Sequence, residues 1–385
     1  MLKIDNSLQK EAIKDASDAN KISDVRTIDD ESFIAQSMPI LENLEGLRKV
    51  MKIAYIGRKK LGFFIGLAGL PIAAFIDYLL ITTSSDDGGF GAVLAFCGGL
   101  YWWITQPKRQ YAKEYKIEIL PRLVGLFGDF KYDVDGKIDM AEMQPSKVVP
   151  SHSRYKSEDY FAGSYKGVNI KFSEITLKER RGSGKNKRTV QVFKGLSILL
   201  EMQKKSFMGH TILDKDKGKI GEWMAEKTLK LDRANLVDPK FEDIFDAYTN
   251  DQVEARYLVD PLIMQRLIDI YDHYASAPER DQRVHKKDWV EKLNINLKRS
   301  LLSGFGRDGH SNDMKVAFFN SKILIMIESN FNHFEPASVY VPATDPQSIL
   351  HMKKEIADIL SLIDQLDAYD PQKEHEKALA PNLGV

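Results

Sequence analysis

GRKKLGFFIGLAGLPIAAFIDYLLITT, Gly57 to Thr83, is the stretch on which the fold turns. From Leu61 to Ile81 it is apolar except for Asp77, and about 20 such residues cross the hydrocarbon core of a bilayer. After SSDDGG comes FGAVLAFCGGLYWWIT, Phe90 to Thr105, shorter but able to cross with Tyr101, Trp102 and Trp103 at the interface. The pair reads as a transmembrane helical hairpin over residues 61–106. Arg48, Lys49, Lys52, Arg58, Lys59 and Lys60 precede it and Lys108, Arg109, Lys113 and Lys116 follow it, whereas the connecting loop carries Asp86 and Asp87. The positive-inside rule then puts both termini in the cytoplasm.

Asp77 is the intramembrane polar candidate. A charged side chain at the bilayer centre costs roughly 2.5–3.5 kcal/mol on insertion scales and usually marks an ion pathway or a buried partner. Asp77 lies near the outer end of its span, so it reads either as a hydrated interfacial carboxylate or as an ion-coupled site. Gly62 and Gly66 form a GxxxG step, and Gly91 with Ala95 a second small pair, both suited to close helix packing.

Working outward, residues 1–38 are polar and read as a flexible N-terminus. Residues 39–60 carry Ile40, Leu41, Leu44, Leu47, Val50, Met51 and Ala54 at helical spacing. That helix lies either on the membrane surface or within the soluble domain. Residues 107–370 are expected to form a cytoplasmic α+β domain of antiparallel strands and helices, with 371–385 a polar tail. Ala112 to Phe130 reads as a helix interrupted at Pro121. GVNIKFSEITLKE and KRTVQVFKGLSILLEM read as strands joined by RRGSGKN, and GHTILDKDKGKI as a further hairpin. DMKVAFFNSKILIMIES is a hairpin turning at Asn320 and Ser321. Asp238-Pro239, Asp260-Pro261 and Asp345-Pro346 each predict an N-cap followed by proline in the first helical turn. The last helix has a seam of Ile349, Met352, Ile356, Ile359, Ile363 and Leu366.

The chain has 55 basic and 55 acidic residues, so no overall field draws it to nucleic acid. Its one cysteine, Cys97, excludes an intrachain disulfide and a cysteine-built zinc site. RRGSGKNKR departs from a phosphate loop at Glu179 and Asn186. Its cluster Arg180, Arg181, Lys185, Lys187 and Arg188 reads as a solvated hairpin tip and a candidate contact to anionic lipid or a partner. GFGRDG, residues 304–309, lacks the strand-to-helix context of a dinucleotide loop. KYDVDGKIDMAE has Gly136 where a calcium loop needs glycine but Lys131 in place of the first carboxylate ligand. The histidines show no HxxxH or HExxH pairing, so neither metal nor cofactor is expected. Glu158 and Asp159, with Glu174 opposite, are carboxylates of unfixed geometry.

SEDYFAGSYKGVNIKFSEITL (157–177), VFKGLSILLEMQKKSFMGHTIL (192–213) and FEDIFDAYTNDQVEARYLVDPLIMQRLIDI (241–270) resemble a family of bacterial membrane proteins catalogued as domain of unknown function 3137. The resemblance implies a bacterial inner-membrane protein with two spans ahead of a soluble domain, and neighbours similar to the LemA membrane proteins as candidate partners. It implies no known activity and carries no catalytic residues. In the third stretch Phe241, Phe245 and Tyr248 are spaced for one helix face, and Glu254 with Arg256 for a surface pair. The leading expectation is a membrane-anchored binding or scaffold module, compatible with a homo-oligomer. The alternatives are a membrane-associated enzyme of hydrolytic or lipid-modifying type, or an ion-coupled membrane component acting through Asp77.

Overall fold

The computed structural model describes residues 29–83, 91–184, 187–202, 207–215, 231–234, 236, 241, 244–275, 313–329 and 332–368, the side chains of 273–275 and 365–368 excepted. The fold is α+β. Its first element, α1, runs unbroken from Asp30 to Thr83 through Pro39 and Pro71. It starts nine residues ahead of the expected 39–60 helix, because Phe33, Ile34 and Ser37 are buried in the domain and make the first turns part of the core. The reading of a helix within the soluble domain therefore holds for the first half of α1. The second half exposes Phe64 and Leu67 at 64% and 68%. Among the described residues α1 is the helix long and apolar enough to cross a membrane.

The next helix, α2 (Gly91–Glu114), packs back against α1. A Cβ on Gly62 would stand 2.5 Å from Ile104, one on Gly69 would strike Phe96, and Gly66 lies beside Leu100. Phe96, Leu100 and Ile104 are four residues apart, one helical stripe, seated on the glycines of α1. The GxxxG step thus packs the hairpin against itself. Gly91 has nothing within 4 Å of its missing Cβ and takes no part in this packing. The interruption expected at Pro121 appears instead as a π turn, Tyr115–Ile119, leading into α3 (Leu120–Val124). The wide turn takes up the break before Pro121, whose missing N–H then falls in the first turn of α3.

Among the described residues the sheet has nine strands: β1 (Phe130–Asp133), β2 (Arg154–Tyr165), β3 (Val168–Arg181), β4 (Arg188–Met202), β5 (Thr211–Asp214), β6 (Asp232–Arg233), β7 (Asp246–Thr249), β8 (Met314–Phe319) and β9 (Lys322–Glu328). Their order is β1-β2-β3-β4-β9-β8-β5-β7-β6, every pair antiparallel. The β3–β4 hairpin and its basic tip stand where the sequence puts them. The β8–β9 turn has Asn320 and Ser321 at φ 48° and 59°, the left-handed pair that a two-residue hairpin loop requires.

Strand alternation sorts side chains to two faces. Ile170, Phe172, Leu196, Ile198, Val316 and Ile325 meet the helices on one face. Ile175, Leu177, Leu199, Phe319 and Met326 form a smaller core with Ile138, Met143 and Val148 on the other. The helical face is covered by α1 and, after the short helices α4 (Met140–Met143) and α5 (Gln252–Leu258), by α6 (Pro261–Ala275) and α7 (Pro346–Ala368). Asp260 caps α6 by accepting the N–H of Ile263 at 2.8 Å, and Asp345 caps α7 by accepting that of Ser348 at 2.9 Å. Ile349, Met352, Ile356, Ile359 and Ile363 are all buried, as the seam requires. Asp238-Pro239, the residues after Lys215 in the expected GHTILDKDKGKI hairpin, the GFGRDG loop and the tail from 371 lie outside the described residues.

Two local readings need correction. Phe241 and Phe245 stack at 4.7 Å, but Tyr248 lies on β7 and faces the opposite core, so the three aromatics do not share a helix face. Glu254 does not simply pair with Arg256 at the surface. Its carboxylate accepts the N–H groups of Met208 and Gly209 at 3.1 and 2.7 Å, pinning the loop ahead of β5.

Candidate functional site

Three parts of the molecule gather charge: the loop end of the α1–α2 hairpin, the junction of hairpin and sheet, and the β3–β4 tip.

At the first, Asp77 is buried, and its two oxygens accept the N–H groups of Ala92 and Val93 at 2.8 and 3.0 Å. A helix start leaves N–H groups without intrahelical partners, and a carboxylate there satisfies them and complements the positive end of the helix dipole. Asp77 therefore serves as the N-terminal cap of α2, supplied from the neighbouring helix. The sequence carries a signal for this: α2 opens on Gly-Phe-Gly, with no capping side chain immediately before it. Asp77→Leu orphans both donors and is expected to cost about 1–3 kcal/mol for each unsatisfied group. Asp77→Asn keeps an acceptor and loses less. Thermal unfolding in mild detergent measures both; equal losses for Asn and Leu would mean that the charge, not the cap, is what matters.

The junction centres on Lys116 in the π turn. Its ammonium lies 2.6 Å from an oxygen of Asp159 and 2.6 Å from one of Glu335. Tyr132 on β1 donates its hydroxyl to the other Asp159 oxygen. Asp159 reaches inward because β2 carries a bulge between Glu158 and Phe161, with Asp159 at φ 54°. Bulges re-aim side chains, and Asp enters the left-handed region more readily than most residues. Glu174, on the helical face of β3, accepts the N–H of His333. The next residue, Phe334, donates its N–H to Glu355 of α7 at 3.2 Å. His333 and His351 each place a ring nitrogen 3.6 Å from Glu355. The 332–335 strap thus joins β3 to α7, and Lys116 joins both to the hairpin.

The electrostatics follow from burial. Desolvation works to depress Lys116, but Glu335 and Asp159 outweigh it and hold the ammonium above its ordinary range. Burial raises the Asp159 carboxyl, with Lys116 opposing the rise. Glu174 is pushed well above the usual carboxylate range by burial, the charge of Asp159 adding to it. Burial and then Asp159 also raise the Tyr132 phenol. A lysine held by two carboxylates is a poor proton carrier and a strong tie. Beside it a narrow cleft opens, lined by Leu41, Leu44, Tyr111, Tyr115, Glu335 and His351.

Of the three carboxylates the sequence sets near one another, Asp159 and Glu174 enter this junction. Glu158 turns outward to Lys156. Lys116, Glu335 and Glu355 carry no local signal, since their partners lie on remote elements. In KYDVDGKIDMAE the structure forms β1, a turn and a helix capped by Asp139, whose carboxylate accepts the N–H of Ala141 at 3.0 Å. Arg180, Arg181, Lys187 and Arg188 are exposed at the hairpin tip, Arg181 paired with Glu179 at 2.7 Å. Lys185 lies outside the described residues.

The profile of a family described as "Protein of unknown function (DUF3137)" covers part of this sheet and its helices. Residues 191–278 match that family. The match runs from within β4 through α6 and includes all of the second and third stretches that carry the resemblance; the first, 157–177, lies outside it. No curated protein matches. Among solved structures the chain is similar to "crystal structure of the mycobacterial trehalose monomycolate transport factor A, TtfA", at 9% identity, over 60% of this chain and 88% of that one, with a TM-score of 0.27. A likeness of that size bears on neither fold nor function.

Proposed function

We propose that the protein is a two-pass protein of the bacterial inner membrane, both termini cytoplasmic, whose α+β domain is a binding or scaffold module held at a fixed attitude to the bilayer. The observation that carries this reading is the continuity of α1. One helix buries Phe33, Ile34, Leu41 and Leu44 in the domain and bares its apolar half beyond. A flexible linker would let the domain tumble; an unbroken helix fixes it.

The belt at the level of residues 58 and 102–109 supports the placement of the bilayer. Arg58 donates to the Trp103 carbonyl at 3.0 Å, Arg109 to that of Trp102 at 2.6 Å, and Lys108 stands over the Tyr55 ring. Aromatic rings interleaved with cations are what a cytoplasmic membrane interface selects. An enzyme reading needs a free nucleophile or base at an open cleft, whereas Lys116 already spans two carboxylates. The structural role of Asp77 likewise accounts for its carboxylate without an ion pathway.

Reporters fused at the N-terminus, within residues 84–89 and at the C-terminus are expected to report cytoplasm, exterior and cytoplasm. An exterior C-terminus overturns the two-pass reading. The scaffold role is tested by cross-linking in intact membranes followed by capture of the full chain, expected to return a defined protein partner. Capture no richer than that of an unrelated two-pass protein overturns it.

A further inference from the structure

We propose that the β3–β4 arm is a second membrane contact, its basic end resting on the anionic headgroups of the leaflet that α1 and α2 enter. The inference rests on the membrane placement above and adds a surface to it.

The course of β3 carries the argument. Its start follows Lys166, which pairs with Asp364 towards the C-terminal end of α7. That end is remote from the bilayer: Lys353, eleven residues earlier, already meets Asp30 at the first turn of α1, while the opening of α7 sits near Glu45, which accepts the N–H of Ala343 at 2.8 Å. Six residues into β3, Glu174 has come level with the 333–335 strap and thus with Lys116. The strand therefore runs towards the bilayer.

From Glu174 to Arg181 it continues for seven residues, about 23 Å at strand rise. Along the hairpin, Lys116 stands only eight residues above Lys108 and its aromatic belt, about 12 Å at helical rise. An arm tilted by about 45° still descends about 16 Å, enough to bring its end to the belt. The last pairs, Glu179 with Val190, Arg180 with Thr189 and Arg181 with Arg188, extend past the end of β2 at Arg154. This projecting end carries Arg180, Arg181, Lys187 and Arg188 against the single acid Glu179. A cationic tip at headgroup level is matched by an anionic leaflet, and each such side chain raises occupancy about fivefold.

The test uses the full chain with Cys97→Ala and Ser183→Cys, labelled with a fluorophore and reconstituted in two vesicle types. One is phosphatidylcholine alone, the other contains phosphatidylglycerol at about one part in three. Quenching by a headgroup-attached quencher is expected to be at least about fivefold stronger in the anionic vesicles. It is expected to fall to the neutral-vesicle level in about 1 M salt, where the Debye length shrinks to about 3 Å. Replacing Arg180, Arg181, Lys187 and Arg188 by Ser should do the same. Quenching independent of lipid charge, or unchanged in that variant, overturns the arm contact. A second label at Thr83→Cys separates the two readings. If it lies on the same side of the bilayer as the Ser183→Cys label, the membrane placement fails and the arm contact with it. If the two lie on opposite sides and the arm is insensitive to lipid, the arm contact alone fails.

Discussion

Replacing Lys116 by Met is expected to lower the stability of the domain by about 3–5 kcal/mol, the cost of removing one partner from a buried ion pair. For a domain of this size that is a fall of roughly 6–20 °C in unfolding temperature. The methionine fills much of the space; what is lost is the charge that compensates Asp159 and Glu335. Adding Asp159→Asn and Glu335→Gln to Lys116→Met is therefore expected to restore part of the loss, which a packing defect would not allow. The deficit depends on pH. In the wild type the Asp159 carboxyl is already raised by burial, Lys116 opposing; without Lys116 it rises further. A carboxyl raised above its unfolded value contributes stability at pH below the unfolded value, near 3.9, and loses it as pH climbs through the folded one. The gap between variant and wild type is thus smaller at pH 5 than at pH 8. Thermal unfolding in detergent at the two values measures it, and a gap that does not change with pH would remove the electrostatic account.

Gly195→Ala is the second large effect. Gly195 sits at φ 157° where β4 meets the end of β9, and a Cβ there would drive into the Ile327 carbonyl and stand 2.7 Å from the Ser329 nitrogen. Both obstacles are backbone and cannot rotate away. Opening the strands breaks the Ser329 N–H to Lys194 carbonyl bond of 2.9 Å and displaces the strap that carries His333 and Glu335 into the junction. Strain and the lost bond together are expected to cost about 3–5 kcal/mol. Hydrogen exchange should rise most at Ser329 and in 332–335. Gly46→Ala in α1, with nothing within 4 Å of its added methyl, is the control and should stabilise by up to about 1 kcal/mol through helix propensity. Unaltered protection of the strap in Gly195→Ala would refute the close-approach argument.

These two residues also show where sequence reading stops. The β3–β4 hairpin was legible because β-branched runs flank a glycine-rich basic tip, and the α6 and α7 starts because Asp260 and Asp345 precede prolines. Those are local signals, decided within a few residues. Gly195 is required by a strand more than 130 residues away in the chain, since β4 pairs with β9. Lys116 sits in a run whose spacing announces only a helix; its partners are fixed by a bulge and by a strap, and neither has a periodicity to read. Tyr248 was misplaced because Phe241 and Phe245 supply a helical spacing that the chain abandons at β7. Asp77 fell between: its chemistry was visible, but the donors it serves lie 15 and 16 residues on, across the hairpin loop.

The packing of α1 on α7 imposes an order on biogenesis. Both apolar segments leave the ribosome by residue 105, but the helix that covers Phe33, Ile34, Leu41 and Leu44 begins only at Pro346. At roughly 5–20 residues per second, the first half of α1 waits about 12–50 s with its apolar stripe bare. Under the two-pass reading proposed above, the nascent chain is by then tethered in two dimensions, its sticky face held close to the lipid surface and to other emerging copies. On that reading a holdase, or the headgroup layer itself, shields the stripe until the last helix arrives to close the domain.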